Sequence, residues 1–176
     1  MAFEQIGSEV VYEGKIATVR RDRFRYEDGG EAEREIVAHP GAVGVVAHDG
    51  ERLFLVKQPR EAVDEQELLE LPAGKLDEEG EEPLETAKRE LAEEIGKGAR
   101  TWEPITSFYT SPGFAAEEVH LFLATDLYDE SADAEEEERI EIVEVPLSDL
   151  DDVIAANKDS KTLVGLLWFR AYLAGR

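Results

Sequence analysis

An α/β fold in which helices cover a mixed sheet is predicted by three features of this 176-residue chain. Short apolar runs with strand-like alternation fill its first part, one amphipathic segment has helical spacing, and strands resume before two closing helical segments. Strands, helix, strands, helices is the order of a sheet whose faces are covered by helices.

Residues 1–40 contain EVVYEG, KIATVRRDRFRYE and EREIVAH, punctuated by Gly14 and by Asp28-Gly29-Gly30, and predict a small antiparallel meander. Residues 41–176 form a second unit. In it, GAVGVVAHDG and RLFLVKQP are parted by Asp49-Gly50, a hairpin signal that pairs Val43–Ala47 with Leu53–Val56 in the core. Leu68–Leu71 adds a short strand before Pro72. The clearest helix runs from Pro83 to about Ile95. Pro83 suits its first turn and Gly96 and Gly98 its end, while Leu84, Ala87, Leu91 and Ile95 recur as one apolar stripe. TSFYTSPGF then reads as a strand and a loop, EEVHLFLATDLY as a strand, residues 130–139 as an acidic surface loop, and IEIVEVP as a further strand. Ser148 is the expected cap of a short helix to about Asn157, and Asp159 or Ser160 caps a last helix carrying Leu163, Val164, Leu167, Trp168 and Ala171.

Composition narrows the function. Asp and Glu number 42 against 19 Lys and Arg, a formal charge of −23. Such a balance argues against nucleic-acid binding by the whole surface, which needs clustered Lys and Arg, but leaves room for phosphates bridged by metal. Without cysteine there is no disulfide framework, thiolate nucleophile or Cys-ligated zinc. The N-terminus lacks a basic stretch followed by an apolar one, and no window approaches the roughly 20 apolar residues that span a bilayer. The expectation is a soluble cytoplasmic protein with no membrane partner.

The informative segment is LPAGKLDEEGEEPLETAKRELAEEIG, residues 71–96. On the predicted helix Glu90, Glu93 and Glu94 stand at i, i+3 and i+4, within reach of a common point. Like charges there repel, and a hard divalent cation such as Mg2+ or Mn2+ would turn the repulsion into ligation. Glu-rich helices are common and most are solvated faces. Here the context adds weight: Gly74 in the loop entering the helix, Glu81 before its first turn, and Arg89 beside Glu90, where a guanidinium orients a carboxylate.

This segment resembles the Nudix box. Glu81, seven residues, then Arg89-Glu90-Leu91-Ala92-Glu93-Glu94-Ile95-Gly96 match every fixed position, and the one departure is that six residues rather than five part Gly74 from Glu81. A loop absorbs one extra residue while the helix keeps its ligands. The resemblance implies an α/β/α sandwich and hydrolysis of a nucleoside diphosphate linked to another moiety. It implies that Glu90 and Glu94 bind metal with Glu93 contributing or assisting, and that Gly74, Glu81, Arg89 and Gly96 are structural positions of the motif.

Pro112 lies sixteen residues after Gly96, and SPGFAAEEVHLFLA, HPGAVGVV, LVKQPR and ELLELPAGKLDEEGE resemble the ADP-ribose pyrophosphatase group of that family. That likeness implies a dimerising N-terminal extension, metal ligation by the Ala73 carbonyl, and substrate contacts from Arg60 and from the Pro112-Gly113 loop. It also implies a catalytic Glu on the acidic loop, with Glu138 first by register and Glu136 second. On its own, Pro112-Gly113 is an ordinary turn and Arg60 a surface arginine. His39, His48 and His120 are scattered among strands and fit core or surface roles better than catalysis.

The implied reaction is hydrolysis of ADP-ribose to AMP and ribose 5-phosphate by a homodimer holding two to three Mg2+ or Mn2+ ions per site. The cations offset the pyrophosphate charge and activate water, and a carboxylate takes the proton. Three alternatives stay open: another nucleotide sugar or dinucleotide such as GDP-mannose, a Nudix-like domain that binds ADP-ribose without cutting it, and an acidic protein that only buffers cations or is adapted to salt. Intact Glu90, Glu93 and Glu94 weigh against the second.

Overall fold

The computed structural model describes residues 2–15, 17–130 and 139–175. They divide into two compact units, Met1–Gly41 with Tyr109–Glu118, and Ala42–Phe108 with Val119–Arg176.

In the first unit β1 (Phe3–Glu13), β2 (Thr18–Tyr26) and β3 (Glu31–Ala38) form an antiparallel meander in chain order. The turn between β2 and β3 falls on Asp28-Gly29-Gly30, where Asp28 Oδ1 accepts from the Gly30 N–H at 2.9 Å. The β1–β2 register shifts between Gln5 and Gly7 and again between Val10 and Tyr12, which bends the edge strand. Residues 109–118 join this unit through Val37, which donates to the Phe114 carbonyl at 2.8 Å and accepts from the Ala116 N–H at 2.9 Å.

The second unit is built on β4 (Ala42–His48), β5 (Arg52–Arg60), β9 (Glu118–Asp129), β8 (Lys97–Tyr109) and β10 (Glu141–Pro146), in the sheet order β10-β5-β4-β9-β8. β4 runs parallel to β9 and antiparallel to β5, so the sheet is mixed as expected. β4 is buried along its whole length. Its alternate residues enter opposite layers, which accounts for an unbroken apolar run instead of alternation. Val43, Val45 and Ala47 pack with Ala87, Leu91 and Ile95 of α1 (Pro83–Ile95). Ala42 and Val46 pack with Leu166 and Phe169 of α3 (Ser160–Ala174), beside Leu150 of α2 (Leu150–Ala156). This is an α/β/α sandwich.

The hairpin at Asp49-Gly50 forms, but its strands pair only at Ala47–Phe54 and His48–Leu53 before parting. Beyond that point β5 takes β6 (Glu65–Glu70) and β4 takes β7 (Ala73–Lys75), both antiparallel. Residues 70–73 therefore cross the split, and the Val45 N–H donates to the Pro72 carbonyl there at 2.8 Å.

α1 keeps the predicted bounds, with Pro83 in its first turn and Gly96 as a left-handed C-cap at φ 65° whose N–H returns to Ala92. Two local expectations, for Gly98 and Ser148, are corrected, and the choice between Asp159 and Ser160 as a cap is resolved. Gly98 is inside β8, which begins at Lys97 directly after the helix. Gly98 and Pro104 are poor strand formers, so local sequence hid a strand that sheet pairing imposes. Ser148 lies in a 3-10 turn, Leu147–Asp149, and donates to the Asp149 carboxylate instead of capping α2. The cap of α3 is Asp159, whose Oδ2 accepts from the Thr162 N–H at 2.9 Å and from its hydroxyl at 2.7 Å. Among the described residues no helix is long and apolar enough to cross a membrane.

Candidate active site

The site follows from how α1 is seated. Ala87, Leu91 and Ile95 are buried against the sheet, and this fixes the helix rotation that carries Glu90, Glu93 and Glu94 on the adjoining flank. Glu94 is only 7% exposed. A carboxylate so buried needs partners, and its Oε2 accepts from the Ala73 N–H at 2.9 Å. Glu90 lies against Gly74: a Cβ built there would come within 2.5 Å of Glu90 Cγ and nearer still to the carboxylate. Glycine at that position makes room for the side chain. The strand β7 is itself pinned to β4, so the backbone of Ala73-Gly74 and the carboxylates of Glu90 and Glu94 form one rigid corner.

Arg89 orders the same flank. Its Nη1 lies 2.8 Å from Glu90 Oε1 and donates to Glu93 Oε2 at 2.9 Å, while Nη2 donates to Glu81 at 3.3 Å. Partial burial pulls the Arg89 pKa down, but the hydrogen bonds and charges of Glu81, Glu90 and Glu93 outweigh it and raise it. Glu81 accepts from the Thr86 hydroxyl at 2.8 Å, and that bond, then Arg89, holds its carboxyl below the ordinary range. The extra residue between Gly74 and Glu81 is taken up in a turn in which the Glu81 N–H returns to the Glu78 carbonyl.

Hard oxygen donors on a fixed helix and strand suit Mg2+ or Mn2+. Glu90, whose carboxylate fills the space above Gly74, and Glu94, bound to the Ala73 N–H, are the carboxylates that could serve as such donors. Among the described residues no three acidic or His side chains already converge as a cage. Glu93 is engaged by Arg89, and bound phosphate and water oxygens are the usual remaining ligands of Mg2+.

Arg60 ends β5 and is held by Glu70, the last residue of β6. Nε and Nη2 donate to the two Glu70 oxygens at 2.6 and 2.9 Å. Lys161 donates to Glu70 at 2.7 Å and to Asp159 at 3.1 Å. Burial pushes the Glu70 carboxyl up, but Arg60 and Lys161 outweigh it and hold it below the ordinary range. Glu70 and Lys161 were missed by sequence reading. Glu70 had a signal, a lone charge within the apolar run Leu68-Leu69-Glu70-Leu71, whereas Lys161 had none.

Pro112 and Gly113 belong to the N-terminal unit, where with Phe3, Tyr26, Tyr109 and Phe114 they line an aromatic cleft of about 390 Å³. Glu136 and Glu138 lie outside the described residues. His48 is buried, with Nδ1 accepting from the Gly50 N–H and its ring 4.8 Å from that of Phe169. His39 Nδ1 accepts from the Gly41 N–H, so both histidines brace turns.

Residues 38–165 match the NUDIX domain, and residues 3–37 match the nucleoside diphosphate sugar hydrolase N-terminal domain. The chain is 41% identical over 170 residues to an ADP-ribose pyrophosphatase of Bacillus subtilis (strain 168), covering 94% of this chain and 91% of that protein. It is 37% identical, with the same coverage, to a methanol dehydrogenase activator of Bacillus methanolicus. A crystal structure of an ADP compounds hydrolase superposes with a TM-score of 0.87 over 99% of this chain and 96% of that one, at 24% identity, a likeness of fold. With the domain match spanning most of the sequence and the box intact from Glu81 to Gly96, the chain belongs to the Nudix hydrolases.

Proposed function

We propose that the chain hydrolyses the pyrophosphate of ADP-ribose to AMP and ribose 5-phosphate, using two to three Mg2+ or Mn2+ ions. The observation that carries this reading is the corner formed by Glu90, Glu94 and the Ala73-Gly74 backbone. The choice of substrate rests on the Bacillus subtilis relative, and the match to a nucleoside diphosphate sugar hydrolase N-terminal domain supports it. Nudix hydrolases in general depend on divalent metal.

When bound, the cation supplies charge neutralisation of the pyrophosphate and acidifies water. Glu90 and Glu94 hold it, with the Ala73 carbonyl as a third donor. Arg89 fixes Glu90 and Glu93 in place. Arg60 offers the pyrophosphate the N–H groups that Glu70 does not use. The attacking water passes its proton to a carboxylate, Glu138 or else Glu136, as its oxygen bonds to phosphorus and the bridging P–O bond breaks. Pro112 and Gly113 contact the substrate.

Residues 41–176 carry the hydrolase and residues 1–40 the dimer contact. Support for a homodimer comes from β1, an edge strand on which Val10 and Tyr12 are exposed, since an apolar strand edge invites pairing. Light scattering on the eluting protein should give twice the chain mass; a monomer would refute the dimer.

The deciding experiment incubates the protein with ADP-ribose, GDP-mannose, NADH and diadenosine polyphosphates in Mg2+, with a chelated control, and identifies products by chromatography. AMP and ribose 5-phosphate should appear fastest and only with metal. Faster cleavage of another substrate would overturn the ADP-ribose assignment, and turnover in excess chelator would overturn the metal mechanism. Likeness to the methanol dehydrogenase activator favours a second reading, action on a partner enzyme, which stimulation of a dehydrogenase without ADP-ribose turnover would select.

A further inference from the structure

Among the described residues β6 pairs with β5 and with no other strand, so one of its edges is open. On that edge the Leu69 carbonyl accepts from Asn157 Nδ2 at 2.8 Å. Just past the strand, the Leu71 N–H donates to Thr162 Oγ1 at 2.9 Å. Backbone groups of successive residues in a strand face opposite edges, so the N–H and C=O of Glu67 point the same way as those of Leu69 and Leu71.

The open edge gives on to a groove of about 500 Å³ between β6 and α2, within the second unit. Leu68 and Leu69 line it from the strand, and Val153 and Ala156 from the helix. Leu69 and Val153 also pack on the core, so the apolar side of the groove is its floor. The lining carboxylates are Glu65, Glu67, Asp149 and Asp152, the last three exposed. Lys158, the cation of the lining, is taken by Glu65. Lys57 stands 3.7 Å from Glu67, beyond hydrogen-bond length.

An open strand edge accepts another extended backbone, and alternate side chains of the added strand then fall on the same surface. Here that surface is apolar below and acidic at the rim, which suits a strand carrying Lys or Arg between apolar residues. Charge of one sign on an edge also rejects partners. These carboxylates repel acidic chains, a second copy included, whose formal charge is −23.

We propose that the open edge of β6, with α2 opposite, is a docking groove for an extended basic segment of a partner protein. The segment pairs with the Glu67 backbone, lays apolar side chains on Leu69 and Val153, and presents cations to the carboxylate rim. This surface is additional to the metal corner and rests on neither the metal nor the substrate assignment.

The test uses the full chain and a fluorescein-labelled hexapeptide of alternating Lys and Val, followed by fluorescence anisotropy at about 0.15 M salt. Alternating Glu and Val is the control for charge, and the Lys and Val peptide methylated on its backbone nitrogens is the control for strand pairing. The unmodified basic peptide should bind at least about 10-fold more tightly than either control. Ala156→Arg puts a bulky cation into the groove from an exposed position on α2, and should weaken binding by about 10-fold while Tm is unchanged. Asp152→Asn, a smaller change, should weaken it by about 2-fold to 5-fold. Glu9→Gln, at an exposed glutamate on β1, should have no effect. Absence of binding by the basic peptide, equal binding of its methylated form, or wild-type affinity in Ala156→Arg overturns the proposal. So does a loss in Glu9→Gln as large as in Asp152→Asn, which would reduce the effect to overall charge. Displacement of the peptide by spermidine at equal concentration would overturn it in favour of a small polyamine, and a halved mass of Ala156→Arg by light scattering in favour of a second copy.

Discussion

Gly74→Ala separates catalysis from stability at a single carbon. The added Cβ would stand 2.5 Å from Glu90 Cγ, against about 3.5 Å for carbon atoms in contact, so the side chain must retreat by roughly 1 Å or more. The three nearest atoms, Cδ, Oε1 and Cγ, all belong to the flexible side chain of Glu90, which can leave by changing rotamer at a cost on the order of 1 kcal/mol. Tm should accordingly fall by only about 4 °C or less. Catalysis is less forgiving, since a displacement of about 1 Å in a positioned group costs roughly 100-fold, or about 2.7 kcal/mol of barrier. The assay is steady-state turnover of ADP-ribose at saturating Mg2+, with Tm measured on the same samples. Turnover close to wild type in a folded variant would refute the argument that Gly74 exists to seat Glu90.

Glu94→Gln keeps an amide oxygen that can accept from the Ala73 N–H, so the fold should survive while turnover falls by about 100-fold with loss of a ligating charge; a wild-type rate would remove Glu94 from the metal site. Glu138→Gln should abolish most turnover and leave KM nearly unchanged, and the opposite result with Glu136→Gln active in its place would move the base by two residues. Stability should depend on pH through Glu70, whose folded carboxyl lies below the ordinary range despite burial because Arg60 and Lys161 act on it. A depressed folded pKa stabilises above the unfolded value and the contribution is lost as pH falls through the folded one, so the Tm difference between wild type and Glu70→Gln should be constant near neutrality and shrink in acid. A difference independent of pH down to the acid limit of folding would contradict the pairing.

Much of the carboxylate cluster could be read from residue order because Glu90, Glu93 and Glu94 lie on one helix. Pro83, the apolar stripe and Gly96 set the bounds of α1, and the spacing of Glu90, Glu93 and Glu94 set their common flank. Capping chemistry and a period of 3.6 residues are local, so local sequence carries them. The strand β8 shows the reverse. Gly98 and Pro104 argue against a strand, and sheet pairing overrides them, because strand identity depends on a neighbour far away in the chain.

Sequence alone determined the fold class, the helix and its carboxylates, the family resemblance and the lack of thiol chemistry. All of these follow from residue types at fixed short spacing. Only the tertiary structure decided that the β4–β5 hairpin splits after two pairs, that Ala73 and Gly74 enter the split against Glu94 and Glu90, and that Glu70 binds Arg60 from one side and Lys161 from the other. Lys161 meets Glu70 across 91 residues of chain. Pairings of that range are selected by the burial of a charge within the assembled sandwich, a constraint that exists only once the layers have closed.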